Sequence, residues 1–202
     1  MSGLSRATVH RLPRYLQLLE GLGSSRATVS SDDLAEAAGV SAANVRRDLA
    51  ALGFSGTRGV GYSVPELRER VRQELGIARR RRVAIIGAGN LGTALARYTG
   101  LRRRGFDVVA VYDISPARIG KKVGAVVIQD LEEMADDCRS GSFDMAILAV
   151  PGVAAQAVAD QLVQAGAGSI LNFAPVPIQA PDGVAVRQVD LSTELQILSY
   201  YS

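Results

Sequence analysis

Apolar side chains recur at Leu12, Tyr15, Leu16, Leu19 and Leu22, the stripe of one helix face over Arg11–Leu22. Pro13 then belongs in the first turn of that helix or kinks it. Ser31, Asp32 and Asp33 read as a second helix start, with acidic groups where the helix dipole favours them. Gly39 ends that helix in a tight turn, and Ser41 caps a third running to about Leu52, before Gly53. Pro65 opens a charged helix with Leu67, Val71 and Leu75 on one stripe. From Val83 the pattern changes. Strand-like runs "VAII", "DVVAVYD", "AVVIQ", "DMAILAV", "SILNFAP" and "VAVRQVD" follow one another. Helical stretches interrupt them after Gly89, over Asp130–Cys138 and over Gly152–Ala165. Such alternation predicts an α/β fold, a Rossmann-type doubly wound parallel sheet.

The second and third helices, joined by a short glycine-containing turn, form a helix-turn-helix signature. Val45, Leu49 and Leu52 fall at i, i+4, i+7 and face inward, so Ala43, Asn44, Arg46, Arg47 and Ala50 point outward. That face is slim enough for a major groove and carries groups that pair with guanine, adenine or phosphate; a helical hairpin with a solvated arginine pair is the plainer alternative. "GFSGTRGVGYSV" follows, with Gly56, Gly59 and Gly61 spaced for a β-hairpin of unusual backbone angles and Arg58 at its tip. A basic-tipped hairpin after a recognition helix is a winged helix, its tip reaching the minor groove or phosphate. The candidate DNA contacts are Ser41, Asn44, Arg46 and Arg47 from the helix, and Thr57, Arg58 and Tyr62 from the wing.

In "RVAIIGAGNLG", Gly87, Gly89 and Gly92 form G-x-G-x-x-G between a strand and a helix. The first glycine suits a tight turn, the second a close approach to pyrophosphate, the third close helix–strand packing. Backbone amides at Asn90 and Leu91 would face the phosphates, so Gly87, Ala88, Gly89, Asn90, Leu91 and Gly92 are candidate cofactor residues. Asp113 closes the next strand, at the place where a carboxylate binds an adenosine ribose and disfavours a 2′-phosphate. This favours NAD(H) over NADP(H) and coenzyme A, although Lys121 and Lys122 stand nearby. At the carboxyl ends of later strands, Val150 and Pro151 offer apolar contact to a nicotinamide, and Asn172 could bond a ribose or carboxamide. Tyr98, at the far end of the first helix of this half, reads from spacing alone at least as well as a core or dimer aromatic.

Charge divides the same way. Residues 1–82 carry fourteen Arg against eight Asp and Glu, net +6, whereas 83–202 carry nine Lys and Arg against twelve acids, net −3. A basic half suggests a polyanion partner for that half alone. The run Arg79–Arg82 reads mostly as a solvated linker. The longest apolar runs are strand-length, no leader-like stretch opens the chain, and the lone Cys138 supports neither an internal disulfide nor a metal cluster. We therefore expect a cytoplasmic protein with no metal site and no membrane segment. Hydride transfer generally needs a proton donor or acceptor, yet the sole histidine, His10, lies in the other half and no lysine follows Lys122. The site looks built to bind a dinucleotide without turning over a partner, hence no enzyme.

A winged helix ahead of an NAD-type sheet domain resembles the bacterial redox-sensing transcriptional repressor family Rex, along essentially the whole chain. The motifs are "VRRDLAALGFSGTRGVGY", "IGAGNLGTAL", "FDVVAVYDISPARIGKKVGAVVI", "AILAVPGVAAQAVADQLVQAGAGSILNFAPV" and "VDLSTELQIL". Many arginines and alanines beside few lysines also look like a high-GC genome. The resemblance implies a homodimer that holds a palindromic operator in double-stranded DNA when NADH is low. NADH would release it, and NAD+ would compete weakly. It implies DNA contacts by Arg46, Arg47 and Arg58, and a cofactor site at Gly87–Gly92 with Asp113. It links Tyr98 and Asp190 to nicotinamide sensing at the domain and subunit junction. It also implies a C-terminal helix inserted into the partner subunit, for which Leu191, Leu195 and Leu198 form a suitable stripe. The expected domains are residues 1–78, 79–190 and a dimer-swapped helix over 191–202. Two alternatives stand beside this one: a small NAD-dependent oxidoreductase, and a coenzyme A-binding regulatory module.

Overall fold

The computed structural model describes residues 3–23 and 25–201, so the expected domain ends Met1, Ser2 and Ser202 lie outside the described residues. Contacts divide the chain into two units, residues 1–79 and 80–202.

In the first unit, α1 (Arg6–Leu22) starts five residues earlier than its apolar stripe, because Ser5 caps it by accepting from the Thr8 amide. Pro13 therefore lies inside the helix rather than in its first turn. After β1 (Thr28–Val29) comes α2 (Ser31–Ala38), closed by a reciprocal capping box between Ser30 and Asp33. Gly39 ends it in the left-handed region at φ 67°. Ser41 caps α3 (Ala42–Ala51), whose Val45 and Leu49 are buried. The strand β2 (Tyr62–Ser63) pairs antiparallel with β1, and α4 (Val64–Glu74) follows with Pro65 in its first turn. Leu12, Tyr15, Leu19, Leu34, Leu49, Leu67 and Val71 make the shared core.

The second unit opens with β3 (Arg81–Ile86), α5 (Asn90–Arg97), α6 (Thr99–Arg103) and β4 (Phe106–Asp113). Next come β5 (Lys122–Val123), β6 (Val126–Asp130), a single 3₁₀ turn at Leu131–Glu133 and α7 (Met134–Arg139). The chain then runs through β7 (Met145–Leu148), α8 (Gly152–Gln164), β8 (Ser169–Asn172), β9 (Ala185–Gln188) and α9 (Leu191–Tyr200). The sheet order is β5-β6-β4-β3-β7-β8-β9, parallel throughout except for the short antiparallel edge strand β5. The order reverses direction at β3, which lies between β4 and β7, and that reversal opens a crevice at the strands' carboxyl ends. One apolar cluster, with Ile86, Tyr112, Leu148 and Leu162, fills one face of the sheet. A second, with Val83, Ile85, Val111 and Ile147, fills the other. Among the described residues no helix is long and apolar enough to cross a membrane, and no group of three or more His, Cys, Asp or Glu could hold a metal ion.

Candidate functional site

At the crevice, Gly87 turns at φ 101°, and a Cβ there would sit 2.5 Å from the Ala149 carbonyl oxygen. Gly92 needs space instead: its Cβ would meet the Gly87 carbonyl oxygen at 1.8 Å, because α5 packs directly on the turn. Gly89 is different again. Its backbone is ordinary, and nothing lies within 4 Å of the Cβ it lacks. The missing side chain leaves open room over the amino end of α5, which carries no side-chain cap, so the Asn90 and Leu91 amides face that room. This is the cradle a pyrophosphate requires, and it fits a dinucleotide.

A cleft of about 460 Å³ extends from the cradle, within the range of small-molecule sites. Gly87, Gly89, Asn90, Leu91, Asp113, Val150 and Pro151 all line it. Ala88 is buried and acts through its amide, which donates to Asp113 Oδ2 at 2.7 Å. Asp113 also accepts from the Ser115 amide at 2.8 Å and from Arg118 Nη1 at 3.1 Å. Burial alone would raise the Asp113 carboxyl, but the two amides and the Arg118 guanidinium outweigh it and hold it below the usual carboxylate range.

Three further candidates take other places. Asn172 is fully buried and outside the cleft; its amide donates to the Val176 carbonyl and to Gln188, and its oxygen accepts from the Ala174 amide. Those bonds use the side chain up in holding the loop after β8, so the expected bond to a ribose or carboxamide is corrected to a supporting role. Phe173, beside it, lines the cleft instead. Tyr98 ends α5, is 57% exposed and lines a separate groove with Phe106 and Gly124. Asp190 caps α9 by accepting from the Ser192 amide and Thr193 Oγ1. Sequence reasoning missed Ile114, Arg118 and Leu131 in the cleft, and within Asn172–Pro175, which it placed at the strand ends, it singled out Asn172 rather than Phe173; the cation five residues after Asp113 was visible as a signal.

In the first unit, Arg46 and Arg47 are exposed on α3, bonded to Ser31 Oγ at 3.0 Å and Asn44 Oδ1 at 3.5 Å. Ser41 spends its hydroxyl on the α3 cap. The wing turns between Thr57 and Gly61, which exchange two backbone bonds of 2.9 Å, leaving Thr57 and Arg58 exposed at the tip. Gly59 and Gly61 take positive φ, but Gly56 does not; a Cβ there would strike the Tyr62 ring at 2.9 Å. Tyr62, expected on DNA, is only 8% exposed. Its ring packs under Gly56 and supports the wing, which corrects that assignment. The sequence also hid Asp48, on the inner side of α3. It accepts from Thr8 Oγ1 at 2.9 Å, from Arg11 Nε and Nη2 at 2.6 and 2.7 Å, and from the Tyr15 hydroxyl at 2.8 Å. The recognition helix is thereby pinned to α1.

A nucleotide cradle and an arginine-bearing recognition helix in one chain match known proteins over nearly the whole of this chain. The redox-sensing transcriptional repressor Rex of Streptomyces avermitilis is 48% identical over 200 residues, covering 98% of this chain and 79% of that protein. The chain belongs to the Rex family. The Rex of Carboxydothermus hydrogenoformans is 43% identical, covering 98% of this chain and 95% of its own. Among solved structures, the Rex-family repressor RSP in complex with NAD+ and operator DNA matches with TM-score 0.91 and 39% identity, covering 100% of this chain and 93% of its own. RSP in complex with NADH matches with TM-score 0.87 and 38% identity, covering 100% and 95%. Residues 78–176 match a family model described as a CoA binding domain, and residues 3–50 one for a DNA-binding protein N-terminus. Rex membership and the sheet topology bear out the α/β fold with a winged helix ahead of a Rossmann-type sheet.

Proposed function

We propose that this chain is a transcriptional repressor that holds a palindromic operator when NADH is low and lets go when NADH binds. The observation that carries this is the pairing, in one Rex-family chain, of an exposed arginine pair on the recognition helix with a dinucleotide cleft whose charged lining residues, Asp113 and Arg118, are already bonded to each other. The lining residues Val150, Pro151 and Phe173 are apolar, which suits contact with a nicotinamide ring, and none of the three carries a group for proton transfer. The chain is not an enzyme; its ligand is NADH or NAD+, and its macromolecular partner is double-stranded DNA.

Arg46, Arg47 and Arg58 read bases and phosphates in this assignment, with Ser41, Asn44 and Thr57 beside them. Tyr98 and Asp190 report the nicotinamide state. The protein works as a cytoplasmic homodimer, with α9 carried into the partner. Support for the dimer comes from α9 itself, which buries no residue and exposes Leu191, Leu195, Ile197 and Leu198. Release requires that NADH bind the DNA-incompetent arrangement more tightly than the competent one, since equal affinity would shift nothing.

Fluorescence anisotropy of a labelled palindromic operator, titrated with NADH and separately with NAD+ at fixed salt, tests the proposal. Release at far lower NADH than NAD+ is expected; operator binding indifferent to both would refute it. Arg47→Ala should weaken operator binding about 5- to 150-fold, from the 1–3 kcal/mol of a base or phosphate contact, with NADH affinity unchanged. Asp113→Ala separates this ligand from coenzyme A: NADH affinity should fall, and a selective loss of coenzyme A binding instead would favour the alternative module.

A further inference from the structure

The strands of the second unit begin at the edge opposite the cleft, and that edge is dense in arginine. β3 enters through Arg80–Arg82, and α6 ends in Arg102–Arg104 just before β4. The Arg81 amide donates to the Gly105 carbonyl at 2.8 Å, and Arg80 Nη2 donates to the Arg102 carbonyl at 2.8 Å, so the two runs are stitched side by side. Among the described residues, Asp107 and Asp144 bond into this cluster of six arginines. Asp107 is held by Arg80 through two bonds, with Arg102 at 3.8 Å, and Asp144 is held by Arg82. Arg102 is 83% exposed, the Arg103 side chain bonds the neutral Thr99 hydroxyl, and the Arg104 side chain makes no hydrogen bond or ion pair among the described residues, only its amide donating to the Leu101 carbonyl at 3.0 Å.

A solubilising surface needs charge of either sign, interspersed. This edge is predominantly cationic, and Asp107 and Asp144 fix two of its guanidinium groups. No apolar side chain is interleaved within either run, although an apolar groove lined by Val83, Leu101 and Phe106 adjoins them. All six cations are arginine, whose planar fork matches phosphate geometry.

We propose that this edge is a second nucleic-acid surface, which grips the sugar–phosphate backbone of DNA flanking the operator through Arg102, Arg103 and Arg104. It rests on the DNA-binding reading above and adds to it sequence-independent contacts by the nucleotide-binding unit. Its ligand is the DNA backbone, so its signature is salt dependence. Each phosphate contact contributes about 0.9 to the slope of log affinity against log salt.

Operator affinity is measured against salt for a duplex limited to the operator and for one extended on both sides with arbitrary sequence. The parent should show a steeper slope on the extended duplex. The triple variant Arg102→Ala, Arg103→Ala, Arg104→Ala should lose about 2 to 3 from that slope and nothing from the slope on the short duplex. The corresponding triple Lys variant should keep most of the difference. NADH titration of each variant checks that the cleft is intact. Equal slopes on the two duplexes in the parent, or an Ala variant indistinguishable from it, overturns the proposal. So does an Ala variant that loses binding to a polyglutamate peptide while both DNA slopes stand, because that would assign the edge to an acidic protein. A parent that fails to prefer operator over scrambled duplex, or ignores NADH, marks instead the failure of the repressor reading itself.

Discussion

Asp48 carries the highest electrostatic stakes of any single side chain in the first unit. It is buried, and it receives four hydrogen bonds from three residues of α1. Burial would push its carboxyl up, but Arg11, Tyr15 and Thr8 hold it below the usual range. A depressed folded value means that the carboxylate stabilises the fold above its unfolded value and that this contribution is lost as pH falls through the folded one. Asp48→Asn should therefore cost about 3 kcal/mol at neutral pH, the scale of breaking a buried pair, with the gap to the parent narrowing in acid. Urea unfolding of both proteins at pH 7 and below pH 4 measures it; a gap that does not change with pH would show that the charge is not what matters. None of this was visible in the sequence, where Asp48 sat in the motif "VRRDL" with no partner to be inferred. Thr8, Arg11 and Tyr15 lie 40, 37 and 33 residues away, and only packing of α3 on α1 brings them to it.

At the scale of the element, the glycine turn shows two glycines with opposite physical reasons. Gly92 lies under α5 with no room for a methyl group, whereas Gly89 faces open space. Gly92→Ala should lower thermal stability, with an overpacking cost of about 1–3 kcal/mol or more. Gly89→Ala should melt as the parent does and yet lose NADH affinity, because its methyl group occupies the pyrophosphate's room. Calorimetric melting beside NADH titration separates the two, and a Gly89→Ala protein with parental affinity would remove the phosphate assignment. The elements themselves were legible, since helix periodicity, Ser41, Gly39 and the G-x-G-x-x-G run are local signals. Of the two places open to Pro13, the first turn or the body of the helix, the Ser5 cap selects the second by starting α1 at Arg6. Misreadings occurred where a residue's role depends on another element. Tyr62 looked like a wing aromatic open to DNA, and Gly56 leaves it a slot to fill. Asn172 looked free at a strand end, and the loop to Val176 and the Gln188 side chain consume it.

At the scale of the molecule, α9 is the feature that a lone protomer leaves unexplained. Its Leu195 and Leu198 are 64% and 60% exposed, and Tyr200 and Tyr201 beyond them are more open still. An apolar helix face of this kind is stable in water when a second copy covers it. Leu195→Asp with Leu198→Asp should convert the dimer to monomer in sedimentation and weaken operator binding, since a palindrome needs both recognition helices. A variant that sediments as the parent would place the dimer contact elsewhere.

The sequence by itself determined the main helices and the parallel strands in their order, the division into a basic and a mildly acidic half, the glycine turn and the acid that ends β4, but not β1, α6 or β5. Each is written in neighbouring residues, where spacing, caps and charge act over a few ångströms. Tertiary structure alone decided that Arg118 shares Asp113, that Asp48 anchors the recognition helix, that Phe173 and not Asn172 faces the cleft, and that two arginine runs some twenty residues apart lie side by side. Those are juxtapositions across the chain. Hydrogen bonds and desolvation select their partners by distance in space, and no local pattern carries that distance.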